Sequence, residues 1–194
     1  MCSVLGGIAI TPLLLILAVM IYIDDPGRVI YINRRVGRNG EIFNCYKFRS
    51  MVMKGGDEIL ARYLAENADE RRNWEVYCKL KGDDPRVTKF GRFLRRTSLD
   101  ELPQILNVIR GEMSLVGPRP ILEREIERYG ELISDYRLVR PGITGLWQIS
   151  GRANTTFEER VQIDSWYIRN WSIWLDFVYL MKTVQVVFKK EGAY

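Results

Sequence analysis

Two adjacent carboxylates, Asp100 and Glu101, follow a basic stretch of the sequence. The stretch has cations at spacings of three and four, which place several of them along one side of a helix. An ionised carboxylate can attack phosphorus and form an acyl phosphate, and two carboxylates can hold a divalent cation together with a phosphate. The sequence therefore predicts phosphoryl chemistry here. The cations are Lys89, Arg92, Arg95 and Arg96.

The same carboxylates also have a purely structural interpretation. Ser98 and Glu101 match a capping box, in which the serine oxygen accepts an N–H of a new helix and the glutamate reaches back. Surface ion pairs are the ordinary role of cations next to acids. Under the functional interpretation, the free N–H groups and dipole of that helix N-terminus would keep Asp100 ionised. The residues alone leave both interpretations open.

A phosphoryl reaction needs cations that hold its negative charge. Lys47, Arg95 and Arg119 are candidates, because guanidinium groups bind phosphate oxygens bidentately and a lysine acts as a point charge. Pro118 and Pro120 restrict the backbone on both sides of Arg119, which limits where its guanidinium can lie. A tight turn with a solvated arginine is the alternative.

The composition excludes several other chemistries. The 194 residues include no histidine, which removes Ser-His-Asp and Cys-His catalysis and His-ligated zinc. Cys2, Cys45 and Cys78 form no C-x-x-C pair, so the sequence predicts neither a disulfide framework nor a thiolate zinc site. A net charge of +5 suits nucleic acid, an anionic membrane or phosphorylated substrates equally well.

An apolar segment at the start of the chain predicts a membrane anchor. Residues 4–23 contain no charged side chain. Pro12 must kink or break a helix there, and each arm is too short to cross a hydrocarbon core of about 30 Å. A re-entrant hairpin and a kinked spanning helix both remain open. By the positive-inside rule, the arginines that follow place the rest of the chain in the cytoplasm; they are Arg28, Arg34, Arg35 and Arg38.

Three further patterns predict the elements that position these groups. Residues 29–48 alternate around Asn39 and Gly40, which predicts a β-hairpin, and residues 57–80 have the period of an amphipathic helix. Residues 166–190 combine aromatic and lysine side chains that suit a membrane headgroup region, although a core helix is the alternative.

The predicted fold class is therefore α-rich α+β. The residues predict a membrane segment over residues 1–23, interrupted at Thr11-Pro12, whose path is either re-entrant or spanning. Residues 24–194 form one small cytoplasmic catalytic domain at the membrane surface, with a short β-hairpin and interfacial amphipathic helices.

Four runs in this sequence carry a family resemblance. They are KFRSM (47–51), TSLDELPQ (97–104), SLVGPRP (114–120) and RPGITGLWQISGR (140–152). In this order they resemble the bacterial sugar transferases, which are monotopic polyprenyl-phosphate phosphoglycosyl transferases. The resemblance is to the catalytic domain of undecaprenyl-phosphate galactose or glucose phosphotransferases.

The resemblance implies an activity and a set of site residues. A hexose 1-phosphate would move from a UDP-sugar to undecaprenyl phosphate with release of UMP, as the first membrane step of polysaccharide, O-antigen or S-layer type glycan synthesis. Asp100 would be the nucleophile that forms a phosphosugar intermediate, and Glu101 would bind Mg²⁺. The implied substrate-binding residues are Lys47, Arg95, Arg119, Asp164 and Asp176; Asp176 could equally lie on the wet face of a helix.

The resemblance also implies partners and a location. The partners would be a UDP-hexose, undecaprenyl phosphate and membrane lipids, at the bacterial inner membrane with the catalytic domain facing the cytoplasm. Thr11 replaces the serine of the family's Ser-Pro helix break and retains its hydroxyl, so the resemblance implies that residues 1–23 form a re-entrant membrane helix broken at Thr11-Pro12. The apolar start and the paired acids argue against nucleic acid, and the sequence leaves a homodimer and the choice of hexose open.

The runner-up is a membrane-associated glycosyltransferase that releases UDP. Such enzymes typically carry a D-x-D metal motif, which this sequence lacks. A membrane-anchored interaction module is a third reading, but it would give the Asp100-Glu101 pair no purpose.

Overall fold

The computed structural model describes residues 2–77, 80, 82–150 and 155–189. Within them, α-helices surround two small sheets, and four short 3₁₀ segments link the elements. The helices are α1 (Cys2–Asp24), α2 (Gly56–Glu66), α3 (Ala68–Tyr77), α4 (Lys89–Thr97), α5 (Ile105–Ile109), α6 (Ile126–Tyr129), α7 (Ile133–Leu138), α8 (Leu146–Ile149), α9 (Phe157–Arg169) and α10 (Ile173–Lys189). The strands are β1 (Ile30–Val36), β2 (Ile42–Phe48), β3 (Ser114–Val116) and β4 (Gly142–Thr144). This architecture agrees with the predicted α-rich α+β class.

Helix α1 is continuous and has Pro12 inside it. The helix therefore does not end at the predicted break, and the re-entrant hairpin is not confirmed. A proline removes one hydrogen bond and bends a helix, but neighbouring turns can continue on both sides. Among the residues searched, no helix is both long enough and apolar enough to cross a bilayer. Near its end, α1 buries Leu17 and Ile21 against Phe48 and Leu94.

The predicted hairpin is confirmed. Strands β1 and β2 pair antiparallel from Ile30 opposite Phe48 to Val36 opposite Ile42. In the connection Asn39 has φ 59° and Gly40 has φ 80°, the left-handed backbone that an Asn-Gly pair favours. Because directly paired residues share one face of a sheet, the odd-numbered residues of both strands lie on the same side.

The helix predicted over residues 57–80 is two helices, α2 and α3, so the single-helix prediction was wrong. The break falls at Asn67, whose backbone leaves the helical region. Its side-chain Nδ2 donates to the Tyr63 carbonyl oxygen at 2.8 Å, in competition with the helical hydrogen bond to that group. Leu80 is not helical; Cys78 lies outside the described residues.

A parallel pair, β3 and β4, fixes the segment that contains Arg119. Ser114 pairs with Gly142 and Val116 with Thr144. The backbones approach so closely here that a Cβ at Gly145 would lie 2.0 Å from the Gly117 carbonyl oxygen. Only glycine fits, and the close packing leaves the following Gly-Pro-Arg-Pro turn little freedom.

The aromatic residues near the end of the chain divide between core and surface. Tyr167 and Tyr179 are buried and pack with Val116, whereas the tryptophans of this region are half or more exposed. The core-helix interpretation therefore applies to the two buried tyrosines, and the membrane-interface interpretation stays a prediction for the exposed aromatic residues. The exposed aromatic residues are Trp166, Trp171, Trp174 and Phe177; Lys190 lies outside the described residues.

Candidate active site

A cleft of about 1220 Å³ contains both carboxylates of the Asp100-Glu101 pair. Its floor is the odd-numbered face of the β1–β2 hairpin. Its walls come from α4, the 3₁₀ segment Leu99–Gln104, the Gly-Pro-Arg-Pro turn, α8 and the start of α9. The hairpin contributes Tyr31, Asn33, Arg35 and Lys47.

The turn at Ser98 ends α4 and leads into the 3₁₀ segment that carries Asp100 and Glu101. Ser98 has φ 55°, and its N–H donates to the Arg95 carbonyl oxygen at 3.1 Å, which ends α4. Its side chain makes no capping bond at the start of the 3₁₀ segment, so the capping box is not formed and that prediction was wrong. The left-handed backbone of Ser98 makes it the C-cap of α4 instead.

Two cations hold Glu101 in the cleft. Lys47 Nζ lies 2.6 Å from Glu101 Oε1, and Arg119 Nη1 lies 3.5 Å from the same oxygen. Charge-assisted contacts of this kind restrict a carboxylate strongly when it is mostly out of water. The structure thus brings together three of the residues that the sequence singled out.

Burial and, to a smaller extent, the neighbouring Glu101 raise the pKa of Asp100 to about 6, while Lys47, Arg95 and Arg119 oppose the shift. The sequence predicted that Asp100 stays ionised, and burial acts against the charged form because the side chain lies in a cleft. At neutral pH the carboxylate is still mainly ionised, with a smaller margin than a solvated aspartate has.

Helix α4 places Arg95 beside this carboxylate. The Arg95 Nε donates to Ser50 Oγ at 2.9 Å, and Thr88 caps the helix by accepting the Gly91 N–H at 2.9 Å. A Cβ at Gly91 would lie 2.0 Å from the Ser50 carbonyl oxygen. A glycine is therefore needed for α4 to approach the end of β2 this closely.

The other two predicted substrate-binding acids do not line the cleft. Asp164 is 1% exposed; it accepts the Tyr129 hydroxyl at 2.9 Å and lies 3.6 Å from Arg160 Nε. Asp176 accepts from Tyr167 at 2.7 Å and from Trp171 at 3.1 Å. Both carboxylates accept hydrogen bonds from other protein groups, so the structure does not bring these two acids into the cleft lining beside Asp100.

The cleft also contains cations that the sequence prediction missed. Arg35 could have been found from the two-residue period, since it shares a hairpin face with Lys47, and Arg49 belongs to the KFRSM run. No local pattern marks Arg160, which reaches the cleft from α9. The missed cations are Arg35, Arg49, Arg86, Arg128 and Arg160.

The carboxylate pair fits one kind of metal. Within the described part of the chain no three acidic or sulfur ligands converge, so a cage made of protein ligands alone is not present there. Mg²⁺ is commonly bound by one or two carboxylates and takes its other ligands from substrate phosphates and water. Asp100 and Glu101 line one cleft, and the charge of Glu101 raises the pKa of Asp100, a repulsion that a divalent cation would relieve.

Comparison with known proteins places this cleft in context. A family model described as bacterial sugar transferase matches residues 1–190. The chain is 50% identical over 193 residues to the undecaprenyl-phosphate galactose phosphotransferase of Salmonella typhimurium, covering 100% of the chain and 40% of that protein. It is 46% identical over 192 residues to the exopolysaccharide production protein ExoY of Sinorhizobium fredii, covering 99% of the chain and 84% of that protein.

A third relative is the UDP-glucose:undecaprenyl-phosphate glucose-1-phosphate transferase of Escherichia coli. It is 40% identical over 193 residues, covering 95% of the chain and 38% of that protein. The chain thus spans about two fifths of the length of several relatives that it matches.

Proposed function

Because the chain belongs to the bacterial sugar transferase family, we propose that its cleft moves a hexose 1-phosphate from a UDP-hexose to undecaprenyl phosphate and releases UMP. Family membership confirms the prediction made from the four sequence runs. The observation that supports the chemistry is the position of Asp100, an accessible carboxylate among three cations from three different elements.

In the proposed first step, an Asp100 carboxylate oxygen attacks the phosphorus that carries the hexose. The new bond joins that oxygen to phosphorus, and the bond from phosphorus to the bridging oxygen breaks. That electron pair leaves on UMP, so no proton transfer is needed. Because the ionised carboxylate is a far stronger nucleophile than the protonated acid, the pKa of about 6 leaves Asp100 competent at neutral pH.

In the proposed second step, a phosphate oxygen of undecaprenyl phosphate attacks the same phosphorus. The acyl phosphate bond to Asp100 breaks, and the carboxylate is restored. The product is a lipid diphosphate that carries the hexose. The two steps use one nucleophile in turn, which makes a covalent phosphosugar intermediate the central claim.

The other cleft residues manage charge. Arg95 and Arg119 bind the oxygens of the transferring phosphate, and Lys47 neutralises Glu101 beside it. Asp100 and Glu101 are the groups that would hold Mg²⁺, which would supply Lewis-acid stabilisation of the diphosphate charge. Asp100 must leave one oxygen for the reaction, so Glu101 is the main ligand in this proposal.

The proposal includes a membrane location. The acceptor is a lipid, and α1 exposes large apolar side chains along its second half, which suits hydrocarbon. We propose that residues 1–23 anchor the chain in the bacterial inner membrane, with the catalytic domain facing the cytoplasm. In this arrangement the re-entrant path of α1 and the exposed tryptophans of the last two helices both seat the cleft at the lipid surface. The apolar side chains meant here are Leu13, Leu15, Ile16, Val19, Met20 and Ile23.

The test is covalent labelling in the absence of the lipid acceptor. The full-length protein in detergent is mixed with UDP-hexose labelled in the hexose or in the uridine. We expect hexose label on the protein and uridine label released as UMP. The Asp100→Asn variant should take up no label, while Asp69→Asn, a change at an exposed surface aspartate, should behave like the wild type.

Two results would contradict the proposal. Labelling retained in Asp100→Asn would exclude this residue as the nucleophile. Release of UDP, with hexose transferred only when lipid is present, would favour the glycosyltransferase alternative.

A further inference from the structure

The cleft lining contains two groups of side chains that differ in chemistry. One group is Met51, Val52 and Met53; there the Met53 N–H donates to the Asp25 carboxylate at 2.8 Å, directly after the apolar helix α1. The other group is Trp147 with the aromatic and hydroxyl side chains at the start of α9. The first group suits a polyprenyl chain, and the second suits a nucleoside.

Arg35, Arg119 and Arg160 lie close together beside Trp147 and the Gly-Pro-Arg-Pro turn. The guanidinium of Arg160 lies 4.9 Å from the centre of the Trp147 ring, and that of Arg119 lies 5.8 Å from the same ring. Arg160 also lies 5.4 Å from the Phe157 ring. Arg35 and Arg160 both line the cleft beside Arg119. Two guanidinium groups over one indole are a concentration of positive charge that an anion would balance.

The Gly-Pro-Arg-Pro turn is clamped by the same arginines. Arg35 Nη1 donates to the Pro120 carbonyl oxygen at 3.1 Å, and Arg160 Nη2 donates to the Arg119 carbonyl oxygen at 3.3 Å. Each bond engages one of the five N–H donors of a guanidinium. The bonds hold the Arg35 and Arg160 guanidinium groups against the backbone of the turn that carries Arg119 before any ligand binds, and such preorganisation favours tight anion binding.

The electrostatics of Arg35 reflect this cluster. Burial lowers the pKa of Arg35, and the charges of Arg119 and Arg160 lower it further. Arg119 Nη1 lies 3.5 Å from Glu101 Oε1, and its guanidinium lies 5.8 Å from the centre of the Trp147 ring that Arg160 also contacts. Arg119 therefore connects the carboxylate pair to Arg160 and Trp147.

We propose that Arg35, Arg119 and Arg160 form the subsite for the donor phosphate that carries the nucleoside. This assignment rests on the proposed function and extends it to the leaving group. A phosphate here would lie one position beyond the attacked phosphorus, with its nucleoside toward Trp147. Three guanidinium groups would stabilise the charge that develops on UMP as the bridging bond breaks.

A buried network positions Arg160 for this role. Asp164 lies 3.6 Å from Arg160 Nε, and the Tyr129 hydroxyl donates to Asp164 at 2.9 Å. Arg160 is itself only 7% exposed, so its guanidinium cannot swing into solvent. Asp164 and Tyr129 are therefore positioning residues, and the resemblance that implicated Asp164 is explained by its effect on Arg160.

The experiment measures binding of UMP and of uridine by titration calorimetry, with the full-length protein in detergent. Arg35→Gln and Arg160→Lys should each weaken UMP binding by about tenfold or more, since a charge-assisted bond contributes at least that much. Binding of uridine, which has no phosphate, should stay within about twofold. Arg124→Gln, a change at an exposed arginine outside the cleft lining, is the matched control and should bind UMP like the wild type.

Kinetics provide the second measurement. In the complete transfer reaction, with both the UDP-hexose and undecaprenyl phosphate present, both variants should raise the donor KM and leave the KM of undecaprenyl phosphate within about twofold. Arg160 is buried, so near-UV circular dichroism must confirm that its variant is folded; if it is not, the partly buried Arg35 decides the matter alone.

The outcomes separate the two proposals. Unchanged UMP affinity in folded Arg35→Gln, or a rise confined to the acceptor KM, would overturn the subsite while labelling of Asp100 stands. Arginine-dependent UMP binding in a wild-type protein that never takes up hexose label would support the subsite and remove the proposed transfer. A wild-type protein that binds no UMP at millimolar concentration would overturn the subsite.

Discussion

Asp100 and Asp164 have similarly raised pKa values, but they differ in exposure and in the partners of their carboxylates. Burial is the main reason that the pKa of Asp100 and that of Asp164 both rise to about 6. Asp100 lines the cleft, whereas Asp164 is 1% exposed. Asp164 accepts a hydrogen bond from Tyr129 and pairs with Arg160 one helical turn earlier. A perturbed pKa therefore does not identify the reactive group in this molecule.

The surroundings of Asp100 and Asp164 differ in which elements supply the partner side chains and in whether those partners leave the carboxylate accessible. The cations around Asp100 belong to β2, α4 and the Gly-Pro-Arg-Pro turn, and they face a space that a substrate can enter. The partners of Asp164 enclose it. A shifted aspartate in an open cleft can perform chemistry, while the same shift inside a core signals a structural network.

The largest expected effect is a loss of turnover on substitution of Asp100, with a much smaller loss on substitution of Asp164. Asp100→Asn should lower kcat by at least about a thousandfold, since it removes the attacking oxygen. Asp164→Asn should lower kcat by less than about tenfold, because it acts through Arg160. Initial rates of lipid-linked product at saturating donor measure both. Equal losses in the two folded variants would contradict the distinction.

A backbone change should disturb the cleft without touching an acid. Gly91→Ala places a methyl group 2.0 Å from the Ser50 carbonyl oxygen, so α4 must move away from β2 and carry Arg95 with it. We expect kcat/KM to fall by about tenfold to a hundredfold. The matched control is Gly56→Ala, where an added methyl meets only ordinary contacts and unfolding should change little.

The substitutions Asp164→Asn and Asp100→Asn should affect the free energy of unfolding in the opposite order to their effect on kcat. Asp164→Asn removes the charge partner of buried Arg160, which should lower the free energy of unfolding by about 1–3 kcal/mol. Asp100→Asn should not destabilise the protein, because it removes a desolvated charge in the cleft. Urea titration of both variants tests this. A destabilised Asp100→Asn protein would show that the cleft carboxylate also has a structural role.

The smallest expected effect is a difference in pH dependence. The Asp164 pKa is about 6 in the fold and 3.8 as a reference, so the folded state holds its proton more tightly. The stability that this carboxyl contributes is complete below pH 3.8 and is lost as the pH rises through about 6. Wild type should therefore lose more stability than Asp164→Asn between pH 4.5 and pH 7.5. Parallel unfolding profiles of the two proteins would contradict the raised pKa.

Part of this molecule follows from local sequence. The hairpin and its Asn39-Gly40 turn were predictable because backbone preference and two-residue alternation act between near neighbours. The adjacency of Asp100 and Glu101 and the restricted Arg119 were readable for the same reason. The single helix over 57–80 failed because one asparagine side chain bonds a carbonyl four residues back, a competition that the hydrophobic period does not reveal.

The site itself needed the tertiary structure. The sequence determined which carboxylates and cations are available, and it determined the family through four runs in order. Only the folded chain places Arg35 of β1 beside Arg160 of α9, raises the pKa of Asp100 and keeps Asp164 out of the cleft lining. These outcomes depend on desolvation and on charges from distant elements, and neither quantity is a property of neighbouring residues along the chain.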